Sequence, residues 1–385
     1  MFNKDFVFKN YFLKLNNSSK NLKKTKNYFK LLKSDIENYK IPLLQSFEND
    51  FEMNFSNDTV KKFSNYKNIV IIGMGGSILG TKAIYSFFKN KIKKKLFFFD
   101  NLDSRLHYNF KKLINSKNTC FLVVSKSGNT LETITNLNLI ATKKSLKKKL
   151  VLISEIKDSS LIKYANKLSA EVIEHNEFIG GRYSVLSEVG MFPAALMNLK
   201  IAKFKNLSKL IDNKFFISSL IRNVTCMHML YERGLKNSII LNYDTELSDL
   251  CLWYQQLMAE SLGKKEKGIL PVISTCPKDH HSLLQLYLDG PKDKFFTFFS
   301  SSSDKNRKIN ITTEAQCTAT KNIFKKKNIP YREFVFKKNN ENELGSVFTF
   351  LVLETLLLAR LMKINPYDQP AVEQIKIETK KILSR

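Results

Sequence analysis

From Asn68 onward the chain alternates short β-rich runs with stretches of helical period. That pattern restricts it to parallel sheets covered by helices on both faces. Strands are predicted at Ile69–Gly73, Leu96–Asp100, Cys120–Ser125, Leu150–Ser154 and Glu171–Ile173, with helices at Leu79–Phe88, Ser104–Leu113, Leu131–Lys147 and Ser159–Leu168 between and after them. Right-handed crossovers turn this series into one five-stranded doubly wound sheet. A second series follows Gly180-Gly181, with strands at Ser238–Leu241, Pro271–Ser274, Phe295–Ser300 and Arg332–Phe336. Its helices are predicted at Glu246–Leu262, His280–Leu288, Thr313–Lys325 and Glu343–Lys363. The expected fold is therefore α/β, with two doubly wound parallel-sheet domains at 67–178 and 179–363. An N-terminal helical segment (1–66) precedes them, and a C-terminal helical arm (364–385) follows the break at Pro366.

A chain of 385 residues, 43% of them hydrophobic, is long enough for two cores. Its formal net charge of +28 raises the prospect of a nucleic-acid partner. Against that, runs such as Lys93-Lys94-Lys95 and Lys147-Lys148-Lys149 fall in loops or at helix ends, and no nucleic-acid motif accompanies them. Crowding by Lys, Asn, Ile and Phe fits a coding bias, so no nucleic-acid partner is expected. Five scattered cysteines without a C-x-x-C spacing point to reduced thiols in the cytoplasm and no zinc site. The opening residues show no apolar secretory core. In the apolar stretch Val347–Ile364, Glu354, Arg360 and Lys363 argue for a buried helix and no membrane partner.

Two segments at predicted strand ends can hold an oxyanion. Gly73-Met74-Gly75-Gly76-Ser77-Ile78-Leu79-Gly80 opens a helix, where backbone N–H groups and the helix dipole favour negative charge. It lacks the Gly-Lys-Ser/Thr of a nucleotide P-loop and the third glycine of a dinucleotide fingerprint. Ser125-Lys126-Ser127-Gly128-Asn129-Thr130 offers hydroxyls and an ammonium at the next helix start, although a helix cap alone explains one such residue. Both segments leave strands that flank the topological switch point of the predicted sheet, where ligands bind.

The second half supplies acid, base and cation. Arg182 follows the paired glycines Gly180-Gly181, within reach of a developing oxyanion or simply at the surface. Glu260 lies about 60° from Leu257 on a helical projection, bordering the apolar stripe of its helix. It is a candidate general base, or a solvated side chain. The adjacent His280 and His281 point about 100° apart on a helix, a poor metal pair, so one of them is expected to face a site. Asn365-Pro366-Tyr367-Asp368-Gln369-Pro370 forms a rigid turn before a short helix bearing Lys376.

Taken in order, GMGGSILG, SKSGNTLET, GGRYSVLS, QQLMAESLGK, KDHHSLLQLYLDGP and NPYDQPAVEQIK resemble the phosphoglucose isomerase family across about residues 68 to 380. The resemblance implies two sugar-isomerase (SIS-type) domains and reversible isomerisation of glucose 6-phosphate and fructose 6-phosphate through a cis-enediolate, without metal or other cofactor. It implies phosphate contacts at Gly76, Ser77, Ser125, Lys126, Ser127 and Thr130, and a further substrate contact at Gln369. Glu260 matches the family's general base and Arg182 the Arg that stabilises the enediolate. His281, by its distance to Gln285, matches the residue that opens the sugar ring, assisted by Lys376. In the family that His comes from the neighbouring subunit, so a homodimer is implied. Tyr367 and Ala371 depart from the family's usual Phe and Gly. Mannose 6-phosphate as a second substrate and a non-catalytic sugar-phosphate sensor are the rival readings; no DNA-binding module precedes Asn68 to support the latter.

Overall fold

The computed structural model of the chain describes residues 6–12, 19–105, 108, 110, 116–141, 146, 148–302 and 308–384. The first sheet contains β2 (Asn68–Ile72), β3 (Lys95–Phe99), β4 (Thr119–Val124), β5 (Leu150–Ser154) and β6 (Glu171–Glu174). Its order is β3-β2-β4-β5-β6, and every neighbouring pair is parallel. Residues alternate across it. Ile69 and Ile71 enter a large core that runs between the two halves, while Val70 and Ile72 face a separate core on the outer side.

The second sheet contains β7 (Asn237–Asn242), β8 (Leu270–Thr275), β9 (Lys294–Ser301) and β10 (Tyr331–Phe336), all parallel, in the order β10-β9-β7-β8. One further strand corrects the sequence-based expectation that residues 1–66 are purely helical. Phe6–Tyr11 forms β1, antiparallel to β10 and paired from Phe6↔Phe336 to Tyr11↔Tyr331. The Phe8 ring lies 4.9 Å from Phe334 and 5.1 Å from Phe350. Core packing and the open edge of β10 stabilise this short strand, which sequence periodicity alone did not reveal. Helices follow at Ser19–Glu37 and Asn57–Ser64.

Most helix expectations hold to within a few residues, including Leu79–Phe88 and Ser160–Leu168. The predicted helix at Ser104–Leu113 and the end of Leu131–Lys147 fall largely outside the described residues. The helix predicted at His280–Leu288 is two pieces, a 3-10 turn at Lys278–His281 and a short helix at Leu284–Asp289. The Asp279 carboxylate accepts from Thr275 N at 2.7 Å and Ser274 Oγ at 3.1 Å, pulling the turn against the end of β8. The last long helix, Glu341–Met362, ends at the left-handed residue Lys363 (φ 55°), three residues before Pro366. It is buried in the core, as its interrupting charges implied. Glu354 there pairs with the fully buried Arg332 of β10, and Tyr254 donates to Glu354 at 2.6 Å.

Candidate active site

The strand order puts β2 and β4 side by side, with the chain leaving them toward opposite edges. The crevice beyond their carboxyl ends is the switch point of the sheet, and both glycine- and hydroxyl-rich segments open into it. After β2 the chain makes a 3-10 turn at Gly75–Ser77. A Cβ on Gly76 would stand 2.1 Å from the Gly181 carbonyl carbon and 2.4 Å from Arg182 N. Only glycine lets these two loops touch, and their contact joins the first half's glycine turn to the second half's arginine. The Ser184 hydroxyl sits at the junction, within hydrogen-bond distance of Gly76 O (3.3 Å) as well as of Gly181 O in its own turn (2.7 Å).

After β4, Ser125 Oγ and Thr130 Oγ1 are hydrogen-bonded at 2.8 Å, and the exposed Ser127 hydroxyl accepts from Asn129 N at 3.3 Å. Gly128 adopts φ +68°, and any side chain there would strike Ser159. Lys126 is turned aside. Its ammonium donates to the Glu177 carbonyl at 2.5 Å and lies 3.7 Å from Glu155. Burial pulls its pKa below the ordinary lysine value.

Arg182, only 2% exposed, is the centre of the second half's contribution. Its Nη1 donates to Glu260 Oε1 at 2.8 Å and to Gln369 Oε1 at 2.9 Å; its Nε donates to Ser261 Oγ at 2.9 Å. Its Nη2 reaches the carbonyls of Pro366 and Asp368. Glu260 sits in the last turn of the helix Ser248–Leu262, and Gln256, one turn earlier, donates to its Oε2 at 2.9 Å. Both carboxylate oxygens therefore have a fixed donor. Tyr183 closes the back of the cluster, its hydroxyl bonded to Pro366 O at 2.8 Å and to Ser261 Oγ at 2.9 Å. Lys264 holds the 365–369 turn through Asn365 O at 2.6 Å and Asp368 at 3.1 Å.

The cluster thus unites Gly76, Ser77, Arg182, Glu260 and Gln369 around one crevice, beside Ser125, Ser127 and Thr130 at the neighbouring strand end. It does not include His281 or Lys376. His281 is exposed on the turn beyond the carboxyl end of β8. Glu260 closes a helix that starts beyond the carboxyl end of β7 and runs back toward the amino ends of the strands. Lys376 lies on the exposed helix Ala371–Leu383, its Nζ 2.6 Å from Glu373. The residues whose part the sequence did not disclose are Gln256, Ser261, Tyr183 and Lys264. Gln256 was legible in principle, since an i,i+4 spacing to Glu260 puts the two on one helix face. Among the described residues no group of three or more His, Cys, Asp or Glu is placed to hold a metal ion.

Comparison with known proteins gives this geometry a lineage. Residues 39–274 match the phosphoglucose isomerase family pattern. A glucose-6-phosphate isomerase of Methanocaldococcus jannaschii is 33% identical over 343 residues, covering 83% of this chain and 85% of that protein. One from Campylobacter jejuni is 29% identical over 348 residues, covering 83% and 86%. In fold, the chain superposes on a hypothetical protein from Thermus thermophilus with a TM-score of 0.82 at 21% identity, over 98% of this chain and 100% of that one. A Chlamydia trachomatis glucose-6-phosphate isomerase gives 0.72 at 21% identity, over 85% and 72%. The family match spans more than half of the chain, and the archaeal relative aligns along most of its length: the chain belongs to the phosphoglucose isomerase family.

Proposed function

We propose that Glu260 shuttles the proton between C2 and C1 in the interconversion of glucose 6-phosphate and fructose 6-phosphate, the aldose–ketose isomerisation of this family. The substrate phosphate is anchored by the backbone and hydroxyls of Gly76–Ser77 and Ser125–Thr130, with Lys126 at the rim. Anchoring a non-reacting phosphate orients the carbonyl end of the open-chain sugar toward the Arg182–Glu260 pair. Glu260 removes the C2 proton, the electron pair forms the C1–C2 double bond, and the carbonyl oxygen becomes the enediolate oxygen. Arg182, with Gln369 beside it, stabilises that oxygen. The hydroxyl proton on O2 then passes to O1, the C2 carbonyl forms, and the electron pair of the C1–C2 double bond takes the proton back from Glu260 at C1, completing the aldose-to-ketose direction.

The contact that supports this reading most strongly is Arg182 Nη1 to Glu260 Oε1, made where Gly181 abuts Gly76. Ring opening is assigned to His281 with Lys376 assisting. His281 is exposed and is not among the partners of Arg182 or Glu260 in its own chain, which favours a homodimer in which each active site takes His281 from the other copy. The exposed apolar residues Val372, Ile375 and Ile377 beside Lys376 are consistent with a second chain covering that helix. The two α/β units are assigned to 67–178 and 179–363, flanked by 1–66 and 364–385. The free thiols of all five cysteines fit a reducing cytoplasm. The test is a coupled isomerase assay with EDTA present on wild type and Glu260→Gln. The variant should lose at least about 10²-fold in kcat and keep its phosphate affinity; near-wild-type turnover would overturn the assignment.

A further inference from the structure

Tyr243 follows β7, outside the Arg182–Glu260 cluster, and is buried with its phenol in a polar chain. Its hydroxyl is 2.7 Å from His280 Nε2 and 3.1 Å from Thr320 Oγ1. Thr320 Oγ1 in turn donates to Gln316 O at 2.9 Å. With its only proton committed there, Thr320 must accept from Tyr243, and Tyr243, its own proton spent, must accept from His280. His280 is thereby fixed with its proton on Nε2.

We propose that Tyr243 is a positioning residue: by holding His280 against the end of β7 it sets the turn Lys278–His281 so that His281 points away from its own fold toward a second copy's active site. This rests on the reading that His281 opens the sugar ring across the dimer. Successive residues of the turn take opposite tasks. Asp279 ties the turn to β8 through Thr275 N and Ser274 Oγ and accepts from Ser282 Oγ at 3.2 Å. His280 turns inward to the phenol, its ring 5.6 Å from that of Tyr243. His281 is left exposed. Tyr243 is itself rigid. Its ring stacks on Phe298 at 5.8 Å and its N–H donates to Phe299 O at 2.9 Å. Burial, then the neighbouring His281, lowers the His280 pKa, which suits an imidazole that serves only as a neutral donor.

The experiment is a double-mutant cycle read by steady-state kinetics, with sedimentation confirming that each variant keeps the wild-type oligomeric state. Tyr243→Phe should lower kcat about tenfold with KM changed less than about twofold, since a misaimed catalytic group slows chemistry more than binding. In a His281→Ala background the same change should cost nothing further. His280→Gln, which keeps a donor, should stay near wild type, while His280→Leu should match Tyr243→Phe; this pair carries the test if Tyr243→Phe fails to fold. Equal losses in both backgrounds would mark Tyr243 as merely structural and overturn the proposal. So would an unchanged kcat for Tyr243→Phe and His280→Leu while His281→Ala is slow. Wild-type turnover by His281→Ala would instead remove the role of His281, and the positioning role with it.

Discussion

Arg182 and Gln256 hold the two oxygens of the Glu260 carboxylate from opposite halves of the cluster, at 2.8 and 2.9 Å. A carboxylate gripped at both oxygens cannot rotate freely, so in the proposed role of general base its geometry is set before substrate arrives. Gln256 is also packed against the Gly75 turn; a Cβ on Gly75 would lie 2.9 Å from its Nε2. Gln256→Leu should therefore lower kcat by about 5- to 50-fold and move KM little, because aim is lost and the phosphate contacts remain. Initial-rate measurements in both directions check this.

At the phosphate end the opposite split is expected. Ser127→Ala combined with Thr130→Ala removes two hydroxyls that contact no part of the Arg182–Glu260 cluster. KM should rise about tenfold or more while kcat is largely spared, each charge-assisted hydrogen bond to a phosphate contributing about 1.5–3 kcal/mol. An unchanged KM for both hexose phosphates would place the cradle elsewhere.

The Arg332–Glu354 pair is buried and shared with Tyr254, Asn223 and Thr297. Arg332→Met should destabilise the fold by about 3–5 kcal/mol, since it strands a buried carboxylate. Adding Glu354→Leu should recover much of that loss, because two apolar residues replace the pair and leave no lone charge. Urea unfolding of wild type, single and double variants measures both steps. A double variant as unstable as the single one would show that the surrounding hydrogen bonds matter more than the charges.

His175, 1% exposed beside the Lys126 loop, has its pKa lowered to about 4, chiefly by burial. The unfolded imidazole titrates near 6.5. Between the two values the unfolded chain binds the extra proton and the folded chain does not, so stability falls as pH drops from about 6.5 toward 4, by up to roughly 3 kcal/mol. His175→Gln should flatten that slope. Thermal melts across this pH window, with wild type and variant side by side, read it directly.

The strands and the two turns that follow β2 and β4 were legible because they rest on local pattern: β-branched runs, then glycine or hydroxyls at the strand-to-helix step. Glu260 stood out from its place at the edge of an apolar stripe, and Arg182 from the paired glycines before it; the structure brings the two into hydrogen-bond contact. What the sequence could not disclose is decided by distant packing. β1 depends on partners more than three hundred residues away, and the split of the 278–289 segment depends on Asp279 accepting from Thr275 N and Ser274 Oγ at the end of β8. The bond from Lys126 to a carbonyl 51 residues on, Glu177 O, is likewise announced by no local pattern.

The pairing of β1 with β10 also orders events during synthesis. Phe6 has no strand to meet until Phe336 has been made, so the second sheet stays unfinished until β10 is available. Closing so long a loop is slow, and until then β10 offers a bare edge to other chains. A version lacking residues 1–12 should therefore aggregate during refolding even though Arg182, Glu260 and Gln369 are all retained.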